Sequence, residues 1–284
     1  MILEKRFVAL SAVFAIALLL FGCAAKGQSS QLKIGGSDTM VILGQAWAEK
    51  YMQENPGKKV SVTGGGSGVG ITALTESKID IAEASRDMKP AEIDAARKKG
   101  VEPVKTIVAY DGIAIIVHPE NPIEKLTIAE IRDIFTGKIT NWKELGGSDE
   151  KIDAYSRESS SGTYEFMKEH VLANKDYASA VKYSSGSAVL VESVSQSKTA
   201  IGYTGVAYAR QRKDVKIIPV AKDEAAIAYL PDKEHVKSGA YSIARSLNFY
   251  TNEAPAGDAK AFVDFVLGSE GQSIAESTGY FGVG

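Results

Sequence analysis

The chain has 284 residues, with 33 Lys and Arg against 35 Asp and Glu and a formal net charge of −2. A near-neutral balance without a basic block argues against nucleic acid as a partner. A single cysteine rules out a disulfide framework. With 44% hydrophobic residues, a hydrophobic core must hold one large domain or two small lobes.

In chain order, Lys5 and Arg6 precede an almost unbroken apolar run, Phe7 to Phe21, and then Gly22-Cys23. The run is short for a membrane span, which needs roughly 20 apolar residues. A basic start, a short apolar core and a small residue before a cut make a secretory signal. Leu20-Phe21-Gly22-Cys23 resembles a bacterial lipobox, although Phe21 is bulky for its position. The expectation is a signal peptide over 1–22, cleavage before Cys23, lipid on the Cys23 sulfur and a polar tether over 23–31. The remainder would then lie outside the cytoplasm, anchored to the cell membrane in a periplasm or on an outer face.

Leu32 to Gly35 reads as a strand, Gly36-Ser37-Asp38-Thr39 as a small polar turn, and Met40 to Gln53 as a helix with Met40, Leu43, Trp47 and Tyr51 on one face. The same design recurs. Strand Val60 to Thr63 enters Gly64 to Gly70 and the helical run Ile71 to Ser77. Strand Ile79 to Ala84 ends in Ser85-Arg86-Asp87 before a helix from Pro90 to Lys99, with Pro90 at its first position. Val104 to Ala109 and Gly112 to Val117 read as two short strands bracketing Tyr110-Asp111, where the chain would cross to another lobe. Thr127 caps a helix to Phe135. Strand Lys151 to Ser156 feeds Arg157-Glu158-Ser159-Ser160-Ser161-Gly162-Thr163, which opens a helix over Tyr164 to Leu172. A helix over Ala188 to Ser197, strands Ala200 to Tyr203 and Val215 to Val220, an extended run Tyr241 to Tyr250 as the return crossing, and helices Asp258 to Leu267 and Glu270 to Ser277 complete the chain. Strands alternating with helices predict an α/β fold with mainly parallel sheets flanked by helices.

Most motifs exclude chemistry. Gly64 to Gly70 lacks the Lys-Ser/Thr ending of a nucleotide loop and fits no Gly-x-Gly-x-x-Gly register. Ser67 there can cap its helix. His118, His170 and His235 have no ligand spacing and read as surface or turn residues, so no metal or other cofactor is expected. No Gly-x-Ser-x-Gly elbow surrounds Ser161. Trp47, Tyr51 and Phe166 read as core, and Arg97-Lys98-Lys99 as a solvated helix end. What remains is three turns rich in small hydroxyl residues, each opening a helix, together with Arg86 and Arg157. The first N–H groups of a helix have no internal partner, and the helix dipole favours an anion there. Arg157 adds a charged planar fork. Converging, such turns make a dry cage for a tetrahedral oxyanion.

Gly36-Ser37-Asp38-Thr39-Met40, Gly65-Gly66-Ser67-Gly68, Ala84-Ser85-Arg86, Ile134-Phe135-Thr136-Gly137-Lys138-Ile139-Thr140-Asn141-Trp142 and Arg157-x-x-x-Ser161-Gly162-Thr163 occur in this order. Together they resemble the phosphate-binding lipoproteins of ABC-type phosphate importers, over nearly all of the chain after the tether. The resemblance implies a two-lobed Venus-flytrap fold with two hinge crossings. Lobe 1 would comprise 32–110 and 241–284, and lobe 2 would comprise 111–240. Inorganic phosphate would lie between them, held by Ser37, Thr39, the Met40 N–H and Ser67 from the first lobe and by Arg157, Ser161, Gly162 and Thr163 from the second. The chain would be a monomer, not an enzyme, that hands phosphate to a membrane permease. Where part of the family has an Asp that accepts the phosphate proton, this chain has Arg86, a second cation. Asp111, or failing that Asp87, is then expected to accept the proton. Alternatives from other classes are a binding protein for sulfate, molybdate or tungstate, a secreted phosphatase or esterase with Ser161 as nucleophile, and a signalling or adhesion lipoprotein without transport.

Overall fold

The computed structural model describes residues 31–284. The expected signal peptide over 1–22, Cys23 and all but the last residue of the expected tether over 23–31 lie outside the described residues. Strand β1 (Leu32–Gly36) leads to helix α1 (Val41–Glu54), β2 (Val60–Thr63) to α2 (Ser67–Thr75), β3 (Ile81–Ala84) to α3 (Pro90–Lys98), and the long β4 (Pro103–Val117) follows. Then come β5 (Leu126–Thr127), α4 (Ile128–Phe135), β6 (Asp153–Arg157), α5 (Gly162–His170), β7 (Lys182–Ser184), α6 (Ser187–Ser195) and β8 (Ala200–Gly205). A 3-10 turn over Val206–Tyr208, β9 (Lys216–Ile218), β10 (Val220–Ala221), α7 (Lys233–Ser238), β11 (Ala244–Asn252), α8 (Gly257–Leu267) and α9 (Ser269–Ser277) end the chain.

Local chemistry explains several of these elements. Leu43, Trp47 and Tyr51 recur every four residues and are buried on one face of α1. The Trp47 indole N–H donates to the Gly271 carbonyl at 2.7 Å, and the ring meets Phe249 edge-on. Thr127 and Glu130 close a capping box on α4, and Pro90 occupies the first turn of α3.

The sheet runs β2-β1-β3-β11-β4-β8-β6-β7, with β9 also on β4 and β5-β10 as a separate pair. Outer pairs are parallel (β1 with β2 and β3, β6 with β7 and β8). The central pairs, β11 with β3 and β4 and β4 with β8 and β9, are antiparallel. β4 changes partner partway along. Pro103 to Gly112 pairs with β11, and Ile113 to Val117 pairs with β8 and β9. The core divides at the same place. Ile113 to Val117 packs with α4, α5, α6 and β8 in one cluster, whereas β1, α1, β11 and α8 form another, and α2, β3 and α3 a third. This is a two-lobed α/β solute-binding fold, crossed by β4 and by the segment entering β11.

The structure corrects three expectations. Val104 to Ala109 and Gly112 to Val117 are one unbroken strand through Tyr110-Asp111, because Arg245 on β11 lies directly opposite Asp111 and pairs with it. Val215 to Val220 is split into β9 and β10 at Pro219, which has no N–H for a ladder. The helix after Arg157 begins at Gly162, two residues earlier than read, since Ser161 is its N-cap. Among the described residues, no helix is long and apolar enough to cross a membrane.

Candidate anion-binding site

Five strands end at one place. β1, β2 and β3 deliver Ser37-Asp38-Thr39, Gly66-Ser67 and Ser85-Arg86; β6 and β7 deliver Arg157 to Ser161 and Ser184 to Ser187. In open α/β sheets this carboxyl edge of the strands is where ligands bind. The helices that follow start here, so their first-turn N–H groups and positive dipole ends converge. Turns from the two halves touch directly. Thr39 Oγ1 lies 2.9 Å from Thr163 Oγ1, the Gly68 N–H donates to the Ser160 carbonyl at 3.0 Å, and Asp38 meets Arg157 at 2.6 Å.

Two glycines make the approach possible. Gly66 has φ +101°, and a Cβ there would fall 2.5 Å from the Ser160 carbonyl oxygen. It therefore occupies the N-cap of α2. This corrects the expectation that Ser67 caps the helix: Ser67 is the first helical residue, fully buried, and its Oγ instead accepts the Ser85 N–H at 3.1 Å and sits 3.3 Å from Ser85 Oγ. Gly162 faces it from the other half. A Cβ on Gly162 would lie 2.3 Å from Ser67 Oγ and 2.7 Å from Ser85 Oγ.

The remaining expected residues divide. Ser37 is buried and its Oγ has no hydrogen-bond partner, so it is a polar group with capacity to spare. The Met40 N–H is engaged within its own turn, donating to the Ser37 carbonyl at 2.9 Å. Ser161 Oγ accepts the Thr163 and Tyr164 N–H groups at 3.2 and 3.4 Å, leaving its O–H as a donor. Arg157 is held by Nε to the Ser184 carbonyl, Nη1 to Ser187 Oγ, and Nη2 to Asp38 Oδ2 and the Ser185 carbonyl. Of the five guanidinium N–H groups, only one, on Nη1, is left for a ligand. Behind it Ser156, Tyr177 and Tyr203 share a buried hydroxyl network, and burial pushes the Tyr203 hydroxyl up to about 12.

Arg86 is not drawn into the cage by hydrogen bonds. Its Nη1 and Nη2 both grip the Glu92 carboxylate at 2.7 Å. Asp87 lies further out, 66% exposed and paired with Lys105. Asp111, in contrast, is fully buried. Its Oδ1 accepts the Val206 N–H at 3.1 Å, and its Oδ2 accepts Arg245 Nη2 at 2.8 Å and Nε at 3.1 Å. Burial pushes the Asp111 carboxyl up, against Arg245 and the Val206 N–H, which hold it down. Arg245 also donates to the Ser85 carbonyl at 3.0 Å and to Thr39 Oγ1 at 3.3 Å.

Sequence reasoning missed Asp38 and Arg245. Each had a signal. An aspartate between two hydroxyls of a turn read as anion-binding must be neutralised by something, and an arginine inside an extended, mostly apolar run must face a buried acid. Each arginine near the cage, Arg86, Arg157 and Arg245, is thus matched by a carboxylate within 2.8 Å. The walls carry no net charge from these pairs, and what is left to hold an anion is N–H groups, hydroxyls and helix ends.

Residues 24–270 match the PBP superfamily domain. The phosphate-binding protein PstS of Pseudomonas aeruginosa is 34% identical over 273 residues, covering 90% of this chain and 84% of that one. An ABC transporter substrate-binding protein with bound phosphate from Clostridium perfringens superposes with a TM-score of 0.81 at 32% identity, over 90% of this chain and 100% of that one. An ABC-type phosphate transport receptor from Vibrio cholerae does so with a TM-score of 0.71 at 28% identity, over 88% and 99%. By this likeness along nearly its whole length, and by strand-turn-helix units that meet across a cleft, the chain belongs to the PBP superfamily, among the PstS phosphate-binding proteins.

Proposed function

We propose that this protein binds inorganic phosphate outside the cytoplasmic membrane and delivers it to an ABC-type phosphate permease, without catalysing a reaction. The observation that carries the reading is the meeting of Thr39 and Ser67 with Gly162 and Thr163 across the cleft. A small tetrahedral oxyanion fits donors arranged this way, and closure of the lobes over it needs no covalent chemistry. Lobe 1 comprises 32–110 and 241–284 and lobe 2 comprises 111–240, with Ser37, Thr39, Ser67, Arg157, Ser161, Gly162 and Thr163 as phosphate ligands. The protein acts as a monomer tethered through a lipidated Cys23.

Asp111 is the group that accepts the phosphate proton. A carboxylate offers about four acceptor positions, and Arg245 and the Val206 N–H take three of them. The position left, on Oδ1, can accept an O–H from hydrogen phosphate and repels fully ionised sulfate. The exposed Asp87 has no such place. Calorimetry of the purified chain against phosphate, sulfate and p-nitrophenyl phosphate tests the whole reading. Phosphate heat without sulfate heat and without release of p-nitrophenol is expected. Turnover would make Ser161 a nucleophile instead, and equal sulfate binding would remove the proton-acceptor role.

A further inference from the structure

We propose that Asp38 is an interlobe latch, a positioning residue that sets how long the closed cleft keeps its anion. The proposal rests on the phosphate-binding reading and extends it to the step of release. Three interactions converge on this one residue. Its Oδ2 accepts Arg157 Nη2 at 2.6 Å, its Oδ1 accepts the Gly65 N–H at 3.0 Å, and its carbonyl accepts the Tyr208 hydroxyl at 2.6 Å. Asp38 and Gly65 belong to the β1-α1 and β2-α2 turns, whereas Arg157 ends β6 in the other half of the sheet. The ion pair is therefore made across the cleft and exists only while the two sets of turns are together.

Arg157 does not need Asp38 to stay in place. Ser184, Ser185 and Ser187, all on its own side, already hold three of its N–H groups. The carboxylate thus adds a cross-cleft tie between groups that are 2% and 19% exposed, a partly desolvated contact. It also changes the charge of each separated half. With the cleft apart, Arg157 faces solvent as a cation that attracts phosphate, while Asp38, between Ser37 and Thr39, repels it. Capture starts on the Arg157 side, and closure neutralises both charges at once. A second cross-cleft pair, Lys89 with Glu165 at 2.6 Å, is 47% and 24% exposed, and exposed pairs of this kind contribute little.

The test is Asp38→Asn in the full chain, which keeps an acceptor for the Gly65 N–H and removes the charge, with Lys89→Gln as the exposed control. Stopped-flow competition measures phosphate association and dissociation, and small-angle scattering measures the radius of gyration with and without phosphate. For Asp38→Asn the dissociation rate should rise roughly tenfold, with association unchanged or faster within about threefold. The scattering radius at full phosphate saturation should exceed that of wild type, and Lys89→Gln should match wild type in every reading. A merely structural role would lower the melting temperature and leave the ratio of the two rates unmoved. Asp38→Asn that binds phosphate with an unaltered dissociation rate overturns the latch. If the wild-type chain itself shows no phosphate heat, the functional reading fails instead, and equal ligand-free radii for wild type and Asp38→Asn would then overturn the latch separately.

Discussion

Replacing Arg245 by Ala removes one member of a pair whose partner cannot leave the interior. Asp111 is fully buried, the Arg245 side chain is 2% exposed, and the two sit in register on β4 and β11. In Arg245→Ala the Asp111 carboxylate keeps only the Val206 N–H. Breaking a buried pair in this way costs about 3–5 kcal/mol, because a charge is left uncompensated. For a domain of this size each kcal/mol lowers Tm by roughly 2–4 °C, so a fall of about 6–20 °C is expected. The cost must also depend on pH. Burial pushes the Asp111 carboxyl above its ordinary 3.8, and without Arg245 nothing charged opposes that. A folded-state value above the unfolded one gives stability that is present at acid pH and lost as pH rises, by up to about 1.4 kcal/mol per unit. The deficit relative to wild type should therefore shrink toward pH 4 and widen toward pH 7. Urea unfolding of wild type, Arg245→Ala and the double variant Asp111→Leu with Arg245→Leu, at several pH values, measures this. The double variant should recover most of the stability, since apolar replacement of a buried pair is often neutral. It should not recover phosphate binding, because Thr39 and the Ser85 carbonyl have lost their donor. A deficit below about 1 kcal/mol, or one that is flat with pH, would refute the claim that a buried charge is being compensated.

Three further outcomes follow from the same geometry. Gly162→Ala places a Cβ 2.3 Å from Ser67 Oγ, so it should hold the turns apart and weaken phosphate binding by more than about tenfold with little change in Tm; calorimetry and a melting curve separate the two effects. Because each nearby arginine is already paired, phosphate affinity should fall only mildly between low and physiological salt, and a steep fall in a salt titration would mean an open, superficial site. Glu83 is fully buried with both carboxylate oxygens unpartnered, and burial pushes it well above the ordinary 4.5. Burial therefore favours its neutral form in the fold, and the stability that Glu83 contributes should decline as pH rises above 4.5, by up to about 1.4 kcal/mol per unit. Glu83→Gln should flatten that slope in unfolding curves, and an unchanged slope would assign it to another group.

The parts of the site that were legible in the sequence are those whose chemistry is local. A helix start is written in three or four consecutive residues, so the turn at Ser161-Gly162-Thr163 and the capping of α4 by Thr127 could be read directly. Even the misplacement of the α2 cap by one residue, from Gly66 to Ser67, has a non-local cause, since only Gly66 lets the Ser160 carbonyl approach. The short strands β5 and β7 were invisible because two or three residues have no period of their own and are strands only by virtue of β10 and β6. Charge balance is the least local property of all. Asp111 looked like a break between two strands because its neighbours in sequence offer no cation, and its partner stands 134 residues away across a ladder. Arg157 and Arg86 looked like two free cations for an anion, yet Asp38 and Glu92 hold them. The arginines therefore do different work from what residue type suggests. A cage with unpaired guanidinium groups would attract any anion strongly and release it slowly. While closed, a cage whose cations are paired with carboxylates holds its ligand by oriented hydroxyls and N–H groups, which discriminate by geometry and by the place of a proton. Such a cage can let go once the lobes part, and release on opening is what delivery to a permease requires.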